Sequence, residues 1–485
     1  MKKNTNENEI EIPKLKSIYN TIVNTTILSV NAVKEGLNKI DKKKKKRISI
    51  VLLLIIIIGF SLVTFFVYLA IPPKIISVKY SENISENDTQ KITITYKINN
   101  KFKTKCKLNN NDWINSKNNK CIFDVSTGIN KIYIKNLFNT KELSELTDVN
   151  GVKKITLDGE KIYLALNESL ILNTKIDYVG DADKSLKWIS SNPDIVSVEE
   201  GKITGISIGE SLITVTSKNN VSYTTKVIVT DLISPMILDN NKKYLTCNKY
   251  SEEEASIIDD ILKTRIDLKG ESTRAALIET IRFITLSFKE KVPYFFESGR
   301  LEPYGRIRLV DGEGRYYHKG LYLTDSKKAD LKASFVGPST WGCPLTNYDD
   351  LYGWTIGAKY PNGLDCSGFV SWALYNSGID VGDIGAGITP EKDDISDLGE
   401  MHKLTYDFVN NREFKVGDII GWDGHVALIA GIDDENIYIA ESLSKGVKIS
   451  TFNYKNKYSA LYRDYQYINT LDNVYISDGK DTDMW

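Results

Sequence analysis

Histidine is scarce in this chain, three in 485 residues. The search for a general base is therefore narrowed to three positions. Cysteines number five, none before Cys106, and the pair Cys106 and Cys121 has no histidine nearby to complete a zinc site. A surplus of one charge is also missing. Lys+Arg and Asp+Glu both total 63, for a formal net charge of +0, so global charge argues for neither a nucleic-acid nor an anionic-surface partner. From Ile48 to Ile71 charged residues are absent altogether. What remains is ordinary for globular domains, with a hydrophobic fraction of 41%. A chain of this length exceeds what one core organises, and about two to four domains are expected.

The stretch with the most chemistry is Gly363-Leu364-Asp365-Cys366-Ser367-Gly368-Phe369-Val370, continuing to Gly378. Gly363 breaks the preceding structure, Phe369, Val370, Ala373 and Leu374 recur at helical spacing, and Gly378 ends the helix. Cys366 then sits at a helix N-terminus, where unpaired N–H groups and the macrodipole favour a thiolate over a thiol. A random cysteine would more often be a buried structural residue. Two features reverse that preference: the Asp-Cys-Ser-Gly context and a histidine downstream. His318 and His402 read as residues of solvated, irregular segments. His425 follows Gly417-Asp418-Ile419-Ile420 and opens Val426-Ala427-Leu428-Ile429, at the start of a strand entered from a turn. Paired with Cys366 it makes a dyad in which imidazole activates the thiol.

Leu364-Asp365-Cys366-Ser367-Gly368-Phe369-Val370, followed by Gly417-Asp418-Ile419-Ile420 and Gly424-His425-Val426-Ala427, resembles the signature of the NlpC-type cell-wall cysteine peptidases. The resemblance implies a papain-like α+β catalytic domain over about residues 240 to 485. It also implies hydrolysis of peptide bonds in peptidoglycan stems, next to D-glutamate, through an acyl-enzyme on cysteine. That family places a polar orienting residue on the strand after the histidine strand. Here the strand is Asn436-Ile437-Tyr438-Ile439-Ala440-Glu441-Ser442. A gap-free reading selects Ala440, which cannot orient an imidazole, so the choice is Glu441, as in the related CHAP-type amidases. The segment Val292-Pro293-Tyr294-Phe295-Phe296-Glu297-Ser298-Gly299 is similar to the family's Tyr-x-Trp-Gly-Gly stretch at Tyr294, a substrate-binding position, and departs from it at Phe296 and Ser298. The resemblance further suggests that Asp365 and Ser367 recognise the free amine of a stem peptide; the alternative is a turn and cap role. No metal or organic cofactor is implied.

Along the chain, residues 1–47 form a polar tail ending in Lys42-Lys43-Lys44-Lys45-Lys46-Arg47. Residues 48–71 then read as a single membrane-spanning helix, with the basic run holding its start in the cytoplasm and the later domains outside the cell. The long hydrophilic prefix argues against a cleaved signal peptide, and Pro72-Pro73 ends the helix. Residues 75–146 read as a small β-domain. Within it Cys106 and Cys121 lie between two strand-like runs and are expected to close a hairpin as a disulfide. Cys247 and Cys343 are open to a second bridge, leaving Cys366 odd.

Residues 150–232 carry strand-like runs at sandwich spacing. Trp188-Ile189-Ser190-Ser191-Asn192-Pro193, then Ile195-Val196-Ser197-Val198 and Gly201-Lys202-Ile203-Thr204-Gly205, resembles the bacterial immunoglobulin-like group 2 domains, an all-β fold. Nothing in it promotes adhesion, so it reads as a spacer. Two helices follow, the first from Ser251-Glu252-Glu253-Glu254 and the second from Ser272-Thr273-Arg274.

Taken together, the chain reads as a membrane-anchored peptidoglycan hydrolase. Two alternatives stay open at this level: an N-acetylmuramoyl-L-alanine amidase, and a surface binding or structural protein with an inactive catalytic domain.

Overall fold

The computed structural model describes residues 24, 41–69, 71–97, 104–136, 139–239, 241–296, 318–327, 335–348, 350, 354–382, 384–387, 395 and 398–479. Most of the expected cytoplasmic tail, Ser298, and about half of residues 300–359 before Cys366 lie outside the described residues. So do the side chains at 43, 45, 46, 49 and 66–69. The chain divides into two compact units, Met1–Val149 and Asn150–Trp485.

In the first unit a helix spans Lys42–Leu69. Among the described residues no helix is long and apolar enough to cross a membrane. Hence the expected span is not established. The β-region that follows is a pair of sheets. One orders Lys74–Ile84, Gln90–Lys97 and Lys120–Val125; the other orders Ile114–Asn115, Lys105–Leu108, Gly128–Lys135 and Thr140–Thr147. Strand Gln90–Lys97 alternates in burial, sending Ile92, Ile94 and Tyr96 into a core shared with Ile132 and Ile134. Cys106 and Cys121 are bonded, with Cα atoms 6.3 Å apart. The bond corrects the hairpin expectation: Cys106 belongs to the second sheet and Cys121 to the first, so it ties two sheets together across their core.

The second unit opens with the all-β region. Its four-stranded sheet orders Leu186–Ser190, Gly209–Ser217, Ser222–Thr230 and Lys161–Ala165, the last pair parallel. Ser169–Ile171, Lys202–Gly205 and Val196–Glu199 make a second sheet, and Thr174–Val179 with Gly151–Leu157 a third. Val152, Ile155, Ile162, Val196, Ile203, Ile213 and Val227 fill the space between them.

Next come helices α1 (Glu252–Lys269) and α2 (Arg274–Arg282), then α3 (Cys366–Asn376), β1 (Glu400–Lys403), α4 (Tyr406–Asn410), β2 (Ile419–Trp422), β3 (His425–Ile432), β4 (Asn436–Leu443), β5 (Gly446–Asn453), α5 (Ala460–Asp464) and β6 (Tyr467–Thr470). Helix α1 starts with a capping box: Ser251 accepts from the Glu254 N–H and Glu254 reaches back to the Ser251 N–H. The six strands form one antiparallel sheet in the order β1-β6-β2-β3-β4-β5. Strand alternation separates its two faces. Val426, Leu428, Ala430 and Ala440 pack with Phe369, Val370 and Ala373 of α3. Ala427, Ile429, Ile437 and Ile439 pack instead with Leu461 and Tyr465.

Arg274 locks α2 to the sheet. It is fully buried and pairs with Asp418 at 2.6 Å, Asp472 at 2.6 Å and Asp478 at 2.9 Å, while its guanidinium lies 4.4 Å from the Tyr475 ring centroid.

The all-β region is seated on α1, which differs from a loosely strung spacer. Tyr163 and Ala165 join the core of the helical region. Asp260 accepts from Tyr163 at 2.7 Å and from Lys161, and Arg265 pairs with Glu168 at 2.8 Å.

Candidate active site

Asp365 begins α3. Its backbone is extended (φ −82°, ψ −172°) and its carboxylate accepts from the Gly368 N–H at 2.7 Å, the N-cap geometry that satisfies a first-turn donor. Ser367 Oγ donates to the same oxygen at 3.3 Å. Both expected amine-recognition residues are therefore buried in capping contacts, and Cys366 follows at the first helical position as the cysteine outside the disulfides among the described residues. Neighbouring segments hold this turn. The Leu364 N–H donates to Pro293 O at 3.0 Å, and Leu364 O accepts from Phe295 N at 3.4 Å and from Ser442 Oγ at 2.7 Å. A Cβ at position 363 would lie 1.8 Å from Pro293 O, so this close approach requires glycine. It also brings half-buried Tyr294, between Pro293 and Phe295, alongside the cysteine turn.

His425 opens β3 and is 2% exposed. Its ring lies against Trp422, centroids 4.1 Å apart, and its carbonyl accepts from Tyr467 Oη at 3.1 Å. Tyr467 also faces Cys366. Burial, with the neighbouring charges of Cys366 and Asp423, raises its hydroxyl pKa well above the ordinary range.

Glu441 on β4 is 1% exposed. His425 Nε2 lies 3.0 Å from Glu441 Oε2, and Tyr465 Oη donates to the same oxygen at 2.8 Å. Oε1 accepts from Ser450 Oγ and faces Lys448 Nζ at 3.4 Å. Burial alone would raise this carboxyl; the hydrogen bonds from His425 and Ser450, the His425 charge and the Tyr465 hydroxyl hold it below the ordinary glutamate value. An ionised Glu441 only accepts, so the His425 Nε2 carries the hydrogen and Nδ1 is the nitrogen left to act as base. Ala440 points to the opposite face and packs with α3.

Tyr465, Ser450, Lys448 and Trp422 were not legible as site residues. They reach Glu441 and His425 through strand pairing and chain reversal, and no local motif marks them. The remaining histidines lie elsewhere: His318 stands 6.0 Å from the Tyr322 ring, and His402 is on β1, stacked on Phe408 at 5.0 Å. The latter corrects the irregular segment expected there, because Glu400–Lys403 pairs with β6. Among the described residues no group of three or more His, Cys, Asp or Glu side chains is arranged to hold a metal ion.

Comparison with known proteins places two families on the chain. Residues 350–464 match the NlpC/P60 family and residues 151–229 the bacterial Ig-like domain (group 2). Among curated proteins, an uncharacterized protein of Clostridium acetobutylicum is 32% identical over 21% of this chain and 26% of its own length. An A type blood N-acetyl-alpha-D-galactosamine deacetylase of Flavonifractor plautii is 25% identical over 29% of this chain and 18% of its own length. The chain thus covers about a quarter of one relative and less than a fifth of the other. Among solved structures, a C-terminal fragment of intimin in complex with the translocated intimin receptor is 18% identical, covering 39% of this chain and 79% of that one at a TM-score of 0.26. Domains 4 and 5 of the S-layer protein SbsC are 12% identical, covering 32% and 99% at a TM-score of 0.16. These two likenesses are too slight to carry a conclusion.

Proposed function

We propose that the chain is a peptidoglycan hydrolase of the cysteine peptidase type, with Cys366 as nucleophile, His425 as base then acid, and Glu441 as the orienting residue. The observation that carries this reading is the buried Glu441–His425 hydrogen bond, on strands against which the cysteine helix α3 packs. The Cys366 thiolate adds to the carbonyl carbon of the scissile amide, and the backbone N–H of Cys366 is the natural donor to the developing oxyanion. Collapse breaks the C–N bond as the His425 imidazolium gives its proton to the departing amine. A water, deprotonated by His425, then attacks the thioester, releasing the acid and restoring the thiol–imidazole pair. Tyr294 beside the cysteine turn is the proposed substrate-binding side chain. Asp365 and Ser367 shape that turn, and any contact they make with a stem-peptide amine would have to be made alongside their capping bonds. The proposed bond is the one between D-glutamate and the diamino acid.

The glutamate at the third position keeps the N-acetylmuramoyl-L-alanine amidase reading in view, since the related CHAP-type amidases are similar there. One experiment decides between them: digestion of purified peptidoglycan by wild type and Cys366→Ala, with mass analysis of the products. New stem-peptide termini support the endopeptidase, and free lactoyl groups with intact stems support the amidase. Release that persists in Cys366→Ala overturns both.

Anchoring is part of the same proposal. The helix Lys42–Leu69 opens with the basic run Lys42–Arg47 and carries no charge from Ile48 on, and Ile50, Leu53, Ile55, Ile58, Phe60 and Phe65 are all exposed along it. An uncovered apolar surface of this extent calls for a lipid environment. The proposed topology puts the N-terminus in the cytoplasm and residues 75–485 outside. Protease added to wall-stripped cells should remove the C-terminal domains and spare the tail; the reverse pattern overturns the orientation.

A further inference from the structure

Two of the four groups around the Glu441 carboxylate share one oxygen. His425 Nε2 and Tyr465 Oη meet at Oε2, at 3.0 Å and 2.8 Å. The other oxygen receives Ser450 Oγ and stands 3.4 Å from Lys448 Nζ. These partners differ in rigidity. Lys448 reaches in from the edge strand β5 with its side chain 29% exposed, and its Nζ also donates to Ser450 Oγ at 2.7 Å, so its charge is partly solvated and shared between two acceptors. Tyr465 is 4% exposed, and its ring is fixed against Trp422 (centroids 5.4 Å) and Phe452 (5.5 Å). Trp422 in turn lies tilted against the His425 ring. One aromatic wall thus contacts both members of the imidazole–carboxylate pair.

We propose that Tyr465 is a positioning residue: by donating to the oxygen that receives the His425 N–H, its hydroxyl holds the carboxylate where only Nε2 can bond to it, which keeps Nδ1 available to Cys366. The proposal deepens the cysteine-hydrolase reading and rests on it. Proximity alone does not distinguish positioning from packing, but the hydrogen-bond inventory does. With Oε1 held by Ser450 and the partly solvated Lys448, the orientation of the carboxylate about its Cγ–Cδ bond is set at Oε2, where His425 alone would supply a single bond, the one whose geometry has to be fixed. A second donor on Oε2 fixes that orientation, and Tyr465 is the donor whose own ring is locked by packing. The charged and titratable groups facing this site are His425 from β3, Lys448 from β5, and Tyr465 with Asp464 from the end of α5; Tyr467 and Asp423 face the Cys366 side.

The test is Tyr465→Phe, which keeps the ring and deletes the hydroxyl, read by the rate constant of Cys366 alkylation with iodoacetamide against pH in the full chain. This readout needs no substrate, so it stands even where the assignment of peptidoglycan as substrate fails. The expected result is a loss of about tenfold in the alkylation rate near neutral pH, the scale of one hydrogen bond to a charged group. The alkaline limb should move to lower pH as the imidazolium loses its fixed partner, and on a cleavable muropeptide kcat should fall with KM held. Imidazole 15N shifts should report a mixed tautomer in place of Nε2–H. A variant with a wild-type melting curve, an unmoved profile and an unchanged tautomer overturns the proposal. So does an upward shift of the alkaline limb with kcat retained, since it would mean that the hydroxyl only drains charge from Glu441.

Discussion

His425 Nε2 donates to Glu441 Oε2 across 3.0 Å, and only 2% of either side chain is exposed. Away from water the pair is screened little, and each partner depends on the other to remain ionised or correctly protonated. Removing the carboxylate therefore costs more than one hydrogen bond, because Tyr465, Ser450 and Lys448 lose their shared acceptor.

Glu441→Ala should lower turnover by roughly one to four orders of magnitude, the range over which general-base help is impaired. Glu441→Gln should lose less, since the amide oxygen still accepts from Nε2–H without the stabilising charge. The pH dependence follows from the depressed carboxyl pKa. The unfolded value is about 4.3 and the folded value lower, so the contribution of Glu441 to stability is fully present above the unfolded value and is lost as pH falls through the folded one. Any loss of turnover that follows protonation of Glu441 should therefore be absent from Glu441→Gln. Rates of both variants against pH check this, and wild-type turnover in Glu441→Ala would make the residue a bystander.

How far the sequence reached is clear from single residues. Cys366 at a helix start was readable because Asp365, Gly363 and the apolar spacing after it are local signals. His425 was readable because only three histidines compete for the role. The choice between Ala440 and Glu441 turns on strand parity: odd positions Ile437 and Ile439 face one side with Tyr465, and Ala440 faces α3. Lys161–Ala165 was missed as a strand for a related reason. It pairs in parallel with Ser222–Thr230, a long-range contact that no turn signal announces. The Cys106–Cys121 pair was readable from its place between two strand-like runs, but the sheets it joins were not, since Cys106 pairs with Ile134 and Cys121 with Ile94, partners far off in the sequence. The seating of the all-β region rests on Arg265 and Asp260, which in a helix pattern read as ordinary solvated charges.

A second disulfide joins Cys247 to Cys343, with Cα atoms 4.1 Å apart, beside the Cys106–Cys121 bond of the first β-region. Non-reducing peptide mapping should recover Cys106 with Cys121 and Cys247 with Cys343, while Cys366 alkylates. The pair Cys106→Ala and Cys121→Ala should cost the first β-region about 2–5 kcal/mol and leave hydrolysis in place, because that bond ties two sheets of a unit outside the proposed site. A mapped bridge that includes Cys366 would remove the nucleophile from the mechanism.

Arg274 should be the most damaging single loss in the helical region outside the site. Arg274→Ala leaves Asp418, 1% exposed in its side chain, without its cation, and breaking a buried pair in this way costs about 3–5 kcal/mol. Asp472 and Asp478 report on the same clamp. Hydrogen bonds from Lys415 foremost, and then Arg274, lower both carboxyls. Depressed carboxylates stabilise above the unfolded value, about 3.9, and lose that contribution as pH falls through the folded value. Denaturant midpoints between pH 5 and 2 should therefore drop less steeply in the double variant Asp472→Asn, Asp478→Asn than in wild type. Equal slopes would show that these half-exposed carboxylates contribute nothing.

The ion pair between the all-β region and α1 separates a seated domain from a passive spacer. Arg265 is 9% exposed and bridges Glu168, at 2.8 Å, and Glu279, at 3.7 Å, and it donates to Ser287 Oγ at 3.0 Å. Burial already raises the Glu279 carboxyl above its ordinary value. Deleting the cation leaves two carboxyls facing each other with little water, a net repulsion that a surface pair would not produce. In Arg265→Ala the seat should loosen first, because it is left to the apolar packing of Tyr163 and Ala165 and to the Asp260 bonds with Tyr163 and Lys161. The consequence is local, so the readout must be local too. Limited proteolysis should cut the connection around residues 231–239 faster than in wild type, while the rate of Cys366 alkylation, which depends on a site built from α3, β3 and β4, stays close to its original value. Arg265→Lys keeps the charge but not the two-pronged contact and should fall between. Cleavage at the wild-type rate in Arg265→Ala would mean that the apolar contact and the Asp260 bonds to Tyr163 and Lys161 seat the domain without it, and that the buried arginine serves the helical core instead.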